Sequence, residues 1–335
     1  MTEKIAVIGG GAWGTTLAAL LREKGHEVSL WVFEQELAAR MRDSRVNDVY
    51  LPELTLPEGM EVTSDLGEAV RCRDLILTVV PSHVARRVFE GIAPQLEQDA
   101  VFVSASKGIE NETLMTMVEV MDDVLPKSFH SRISCLSGPS FAKEVVYGMP
   151  TAVAVAARDP KLAARVQAAF NTDTFRVYTN PDIMGLELGG ALKNVIAIAA
   201  GCSDGLGFGH NTRAALITRG IAEIARLGMA MGANPLTFSG LAGMGDLVLT
   251  CTGELSRNRT VGYELGQGKK LSEILAGRKT VAEGVSTTKA AYGLSKKYDV
   301  PMPITEQVYL LLYKDKDPKQ VVRDLMTRAL KSEIG

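Results

Sequence analysis

Lys193 is the only charge in the run Leu188-Gly189-Gly190-Ala191-Leu192-Lys193-Asn194-Val195-Ile196-Ala197-Ile198-Ala199-Ala200. A helix with apolar residues on every side is buried, and an ammonium taken out of water with it costs several kcal/mol unless something meets it. Desolvation also lowers a lysine's pKa towards neutrality, where it can give and take protons at useful rates. That chemistry is general acid/base work, although a buried Lys-Asp pair or a lysine snorkelling from a helix end would also account for the pattern. Lys193 lies one turn beyond Gly189 and Gly190, and long helical side chains lean back over the preceding turn. Glu187, Gly190, Ala191 and Asn194 share an adjoining face, which predicts a polar groove beside the lysine; close helix packing explains the glycines too. Asp246 and Thr250 are four apart, hence on one face of a helix opened by Gly243-Met244-Gly245. Asp246 is the candidate to hold the ammonium, or an ordinary acid at a helix start. In Ser256-Arg257-Asn258-Arg259 the arginine fork matches a phosphate or carboxylate, and a solvated turn is the plainer reading.

A second kind of chemistry is written near the N-terminus. Gly9-Gly10-Gly11-Ala12-Trp13-Gly14 fits GxGxxG directly after an apolar strand. Gly9 permits the tight turn, Gly11 lets backbone N–H groups approach a pyrophosphate, and Gly14 allows helix to pack on strand. The next strand ends at Val32-Phe33-Glu34, where such a site reads the adenosine ribose. An acid at Glu34 suits a free 2'-hydroxyl and leans towards NAD, with Phe33 as an alternative reading position and Arg40 or Arg45 able to reach a 2'-phosphate. Lys107, ahead of Gly108, puts a cation at the binding edge. Ser137-Gly138-Pro139-Ser140-Phe141-Ala142 offers N–H groups for an anion or cofactor amide, or is a plain strand-to-helix turn capped by Ser140. His83 reads as a loop residue rather than a base.

Strands alternate with helices through the first half: Ile5–Ile8, Val28–Val32, Leu75–Val80, Ala100–Val103, Ile133–Leu136, Thr151–Ala156 and Thr174–Val177. The alternation predicts a parallel doubly wound sheet, with Ser44–Gly59 as its longest irregular stretch. After Asn180-Pro181-Asp182 the strand signal ends. The expected fold is an α/β Rossmann-type dinucleotide domain over 1–181 followed by an all-α substrate domain over 182–335. The chain's 335 residues, 46% hydrophobic content and formal charge of −2 supply a sizeable core and no basic field for nucleic acid. Cys72, Cys135, Cys202 and Cys251 form no CxxC pair, so neither a disulfide framework nor a metal site is expected. No basic leader and no segment of eighteen uncharged apolar residues is visible, which points to the cytoplasm and away from export or a membrane.

On these residues the chain resembles the NAD(P)-dependent glycerol-3-phosphate dehydrogenases of the bacterial biosynthetic type. The resemblance covers nearly the whole length. It is carried most specifically by Gly190-Ala191-Leu192-Lys193-Asn194-Val195-Ile196-Ala197-Ile198-Ala199-Ala200-Gly201, with Val80-Pro81-Ser82-His83, Lys107-Gly108, Ser137 to Glu144, Gly245 to Thr252 and Ser256-Arg257-Asn258. It implies reversible reduction of dihydroxyacetone phosphate to sn-glycerol 3-phosphate for glycerophospholipid synthesis, and it suggests a homodimer. It makes Lys193 the general acid and base, and places Lys107, Gly138, Ser140, Asp246, Ser256, Arg257 and Asn258 at the substrate, with Arg257 on the phosphate; Asn194, on the face adjoining the lysine, and Thr250, on the face of Asp246, join them as substrate-binding candidates from helix spacing. It adds Ala12, Trp13, Phe33, Lys107, Ala142, Arg257, Val281 and Glu283 to Gly9, Gly11, Gly14 and Glu34 as cofactor contacts. Members preferring NADPH often carry a basic residue or histidine near Phe33-Glu34, which this chain lacks. The rival dehydrogenases of similar architecture, acting on hydroxy acids, share a helical lysine but not the Ser256-Arg257-Asn258 cluster. A dinucleotide sensor that had lost its chemistry would have no need of Lys193 or Asp246.

Overall fold

The computed structural model describes residues 2–96, 100–276, 282–330 and 332–333. Among the described residues ten strands are formed: β1 Lys4–Ile8, β2 Glu27–Trp31, β3 Val46–Asn47, β4 Leu51–Thr55, β5 Glu61–Thr63, β6 Leu75–Thr78, β7 Val101–Ser104, β8 Ile133–Ser137, β9 Thr151–Ala157 and β10 Phe175–Asn180. Eight of them make one sheet in the order β10-β9-β8-β7-β6-β1-β2-β5. Its central strands are continuous apolar runs because both faces are covered. On one face Ile5, Val7, Leu30 and Leu77 join one core cluster; on the other Ala6, Ile8, Ile76 and Phe102 join a second. Between and beside the strands run α1 Ala12–Glu23, α2 Gln35–Ser44, α3 Leu66–Val70, α4 Ser82–Ile92, α5 Met117–Val124, α6 Ala142–Val146 and α7 Pro160–Phe170.

Three features of the strands differ from the sequence-based expectation. β8 pairs with β9 antiparallel, whereas the neighbouring pairs β7–β8 and β9–β10 are both parallel. A parallel neighbour needs a crossover that returns the chain to the starting end of the sheet, and the turn at Gly138 followed by the short α6 does not do so. The stretch 44–59 is also less irregular than its composition suggests: β3 and β4 pair there as a small antiparallel ribbon. The three-residue β5, paired with β2 at the sheet edge, is too short to leave a signature.

Among the described residues beyond β10 the elements are helices: α8 Ile183–Gly205, α9 His210–Ala230, α10 Asp246–Thr252, α11 Arg257–Gly266, α12 Leu271–Ala276, α13 Glu283–Lys297, α14 Pro303–Tyr313 and α15 Pro318–Met326. α8 starts where Asp182 accepts the Gly185 N–H at 2.9 Å, an N-cap that satisfies one of the helix's orphan donors. It is long and apolar enough to cross a membrane by length and composition, yet it is mostly buried against the rest of the chain. Leu188, Leu192, Val195, Ile196 and Ile198 anchor the third core cluster with Leu247, Val261, Ala290 and Leu294. At roughly 1.5–3 kcal/mol for each large apolar side chain taken from water, this burial rather than helix propensity holds α8 in place.

Candidate active site

Gly9, Lys107 and Gly138 follow β1, β7 and β8, and these strands, linked through β6, all run the same way. The three residues therefore share the carboxyl edge of the sheet, the usual place for a ligand in an open α/β fold. α8 comes close to that edge. A Cβ at Gly190 would lie 2.5 Å from Ser137 Oγ and 3.7 Å from Lys107 Cγ, so only glycine lets the lysine helix reach the sheet here.

Lys193 is 7% exposed and Asp246 1%. The Lys193 ammonium donates to Asp246 Oδ1 at 2.7 Å and to Thr250 Oγ1 at 2.6 Å. The other oxygen, Oδ2, accepts from Lys107 at 2.7 Å, and Lys107 donates again to the Gly138 carbonyl at 3.2 Å. One buried carboxylate thus bridges two ammoniums, one on the helix and one at the sheet edge. Burial pushes the Lys193 pKa down to about 8; Asp246 opposes the shift and the Lys107 charge reinforces it. Thr250 in turn donates to the Asp246 carbonyl one turn back, at 2.6 Å. Ser140 donates to the Gly138 carbonyl at 3.1 Å, and α6 begins from Phe141 with no side-chain cap, so Ser140 does not cap that helix.

The cluster 256–258 is a helix start rather than a solvated turn. Ser256 Oγ accepts the Arg259 N–H, and Ser256 and Asn258 are buried while Arg257 is exposed. Asn258 donates to Asn194 Oδ1 at 2.9 Å and accepts the Gly284 N–H at 2.9 Å, tying α11 to the residue next to Lys193 and to the first turn of α13. Glu283 accepts from Ser82 Oγ at 2.8 Å, and burial raises its pKa. Sequence reasoning had no means of finding the Ser82–Glu283 contact, since the two residues are 201 positions apart. Val281 lies outside the described residues.

Glu187 departs from expectation. It does not line a groove beside Lys193: its carboxylate accepts the Val118 N–H at 2.9 Å, at the start of α5, and burial raises its pKa to about 7. Glu187 precedes Lys193 by six residues, so the two point to different sides of α8, and the nearest element to the acid is a helix end in need of an acceptor. His83 is exposed in the first turn of α4.

At the other end of the same edge, Gly9 adopts φ 129°, and a Cβ at Gly14 would lie 1.9 Å from the Gly9 carbonyl oxygen. Gly11, by contrast, faces open space: nothing lies within 4 Å of its Cβ position, and α1 has no side-chain cap there. Ala12 and Trp13, like Ala142 across the edge, are half-buried. A dinucleotide pyrophosphate fits that uncapped, uncovered helix start. Phe33 is 74% exposed and packs edge-on to Trp31. Glu34 accepts from Tyr50 OH at 2.9 Å. Arg40 is paired with Asp48, and Arg45 donates to the Leu56 carbonyl, so both basic residues near the turn are engaged elsewhere.

A Rossmann-type sheet with this glycine turn, facing a buried lysine on a helical second half, defines a nicotinamide-dinucleotide oxidoreductase. Family models described as the N-terminus and the C-terminus of NAD-dependent glycerol-3-phosphate dehydrogenase match residues 4–163 and 182–323. The chain belongs to the NAD-dependent glycerol-3-phosphate dehydrogenase family. It is 60% identical over 333 residues to a glycerol-3-phosphate dehydrogenase [NAD(P)+] of Geobacter sp. (strain M21), covering 99% of each chain. It is 58% identical over 335 residues to the protein of that description in Geobacter metallireducens, covering 100% of both. Among solved structures it resembles glycerol-3-phosphate dehydrogenase from Coxiella burnetii with a TM-score of 0.94, 38% identity, and coverage of 98% of this chain and 99% of that one.

Proposed function

We propose that the chain catalyses the reversible reduction of dihydroxyacetone phosphate to sn-glycerol 3-phosphate with NADH or NADPH, supplying glycerophospholipid synthesis in the cytoplasm as a homodimer. Residues 1–181 would serve as the dinucleotide domain and 182–335 as the substrate domain. No metal, nucleic acid or membrane enters this reading. Its main support is the Lys193–Asp246–Lys107 arrangement, two ammoniums sharing one buried carboxylate beside the carboxyl edge of a dinucleotide sheet.

Bound nicotinamide supplies the hydride; Gly9, Gly11, Ala12, Trp13 and Gly14 would hold its pyrophosphate, and Phe33 and Glu34 its adenosine end, with Ala142 and Glu283 as further contacts. Lys193 would donate a hydrogen bond to the substrate carbonyl oxygen, stabilise the charge that builds there and then pass its proton to it. With a pKa near 8 the ammonium is a better acid than an ordinary lysine while still charged at pH 7. Asp246 and Thr250 would orient it, and Lys107 would tune it and face the substrate with Gly138 and Ser140. Arg257, exposed at the start of α11, would anchor the phosphate, with Ser256, Asn258 and Asn194 shaping that end. Binding energy from the phosphate could then hold the carbonyl in place. Oxidation of NADH and of NADPH followed by the absorbance of reduced nicotinamide, with dihydroxyacetone phosphate as substrate, tests the reading. Turnover of that ketone is expected, and none with either cofactor would refute it. Sedimentation at twice the chain mass is expected for the dimer.

A further inference from the structure

Behind the lysine, α8 and α11 cross at backbone contact. A Cβ on Gly201 would lie 1.9 Å from the Arg259 carbonyl oxygen and one on Gly205 2.2 Å from that of Tyr263. A Cβ on Gly262 would lie 2.0 Å from the Ile198 carbonyl oxygen and one on Gly266 2.3 Å from that of Cys202. The glycines are spaced by four on both helices, so each helix turns one bare stripe to the other. Contact of this kind sets how near the axes come, and Val261 and Leu265 pack with α8 in the same core cluster. Polar ties join the two helices as well.

One tie is Asn194–Asn258. The other is Asp204, whose side chain is 6% exposed. It accepts from Arg213 of α9 at 2.6 and 3.1 Å, and from Arg259 of α11 at 2.9 Å through Nε and 2.8 Å through Nη2. Helix stability explains neither charge. Asp204 sits in the last turn of α8, where the helix dipole disfavours an acid, and Arg259 in the first turn of α11, where it disfavours a cation. Each offsets the other across the crossing. Arg259 is two residues from Arg257, in the same turn, and Arg257 itself has no ion pair or hydrogen bond among the described residues. The turn that presents Arg257 is therefore held by its neighbour.

We propose that Asp204 is a positioning residue for the substrate phosphate: by holding Arg259 and Arg213 it fixes the first turn of α11 against α8, and with it the separation between Arg257 and Lys193. The inference rests on the reading of Arg257 as the phosphate anchor. Asp204 touches no reacting atom, so its loss should appear only with a substrate that carries a phosphate.

Asp204→Asn and Arg259→Met are to be assayed with dihydroxyacetone phosphate and with phosphate-free dihydroxyacetone. The second variant keeps the Asp204–Arg213 pair and so guards against loss of the fold. Both are expected to raise KM for the phosphorylated ketone by roughly tenfold with kcat changed by less than about twofold, to leave kcat/KM for dihydroxyacetone unchanged, and to leave the pH profile of turnover in place. Asp204→Glu should recover part of the loss. In an Arg257→Ala background Asp204→Asn should add no further loss, because the group it positions is gone. If Arg257→Ala alone leaves KM for dihydroxyacetone phosphate unaltered, the phosphate reading itself fails. If Arg257→Ala raises that KM while the folded Asp204 and Arg259 variants do not, the positioning role is overturned. Equal losses on both ketones would likewise overturn it, as they would mark Asp204 as a merely structural residue.

Discussion

Lys193 and Glu34 stand at one edge of the same sheet, yet their surroundings are opposite. Around Lys193 the donors and acceptors are matched where little surface is exposed: one carboxylate, two ammoniums, a threonine hydroxyl and a carbonyl, with 7% of the lysine exposed. Around Glu34 the turn is open, Phe33 is 74% exposed, and a single hydrogen bond from Tyr50 engages the acid. Under the proposed function the difference is a division of labour. Proton transfer needs a pKa moved by desolvation and a partner that does not wander, which only a packed interior supplies. Choice between two cofactors that differ by one phosphate needs only a local charge at the surface, and that can change without disturbing the core.

The largest expected effect breaks the buried end. Lys193→Ala should lower kcat by roughly a thousandfold while NADH affinity, measured by fluorescence titration, stays near that of the unaltered protein. Near-normal turnover would remove the lysine from the chemistry. Arg257→Ala should act next most strongly, raising KM for dihydroxyacetone phosphate by roughly ten- to a hundredfold, the scale of one lost charge-assisted pair. A smaller effect is expected at the open end. With Glu34 present and Arg40 and Arg45 engaged, NADH should be preferred, and Glu34→Arg should move the ratio of kcat/KM values towards NADPH by roughly tenfold without a change in kcat. If Glu34→Arg instead reduced turnover with both cofactors equally, the two ends would not be separable in the way described.

The same contrast governs what was legible in the sequence. A lone charge in an apolar helix is visible because it violates the pattern around it, and the four-residue spacing of Asp246 and Thr250 is a local property of a helix. GxGxxG is likewise local. Long-range partners are not: Asn194 finds Asn258 and Ser82 finds Glu283 only after α8, α11 and α13 have packed. Glu187 was legible as a polar residue on α8, but its partner, the first turn of α5, belongs to another part of the chain. Strand direction was read from alternation, which carries no information on whether a short connection such as α6 completes a crossover. The antiparallel β8–β9 pair followed from that geometry, and the three-residue β5 had too few positions to show a period.

The central claim is that a buried, bridged lysine moves the proton, and the pH dependence of kcat in both directions tests it most directly. In the proposed mechanism reduction would use the protonated lysine and should lose activity above about pH 8, where the ammonium deprotonates; oxidation would use the neutral amine and should gain activity through the same range. Lys107→Met, which removes the like charge that helps lower the Lys193 pKa, should move both limbs to higher pH. Limbs that fall and rise together near pH 8, and shift together in Lys107→Met, are the expected result. Profiles that are flat across that range in both directions, or that do not respond to Lys107, would contradict the account.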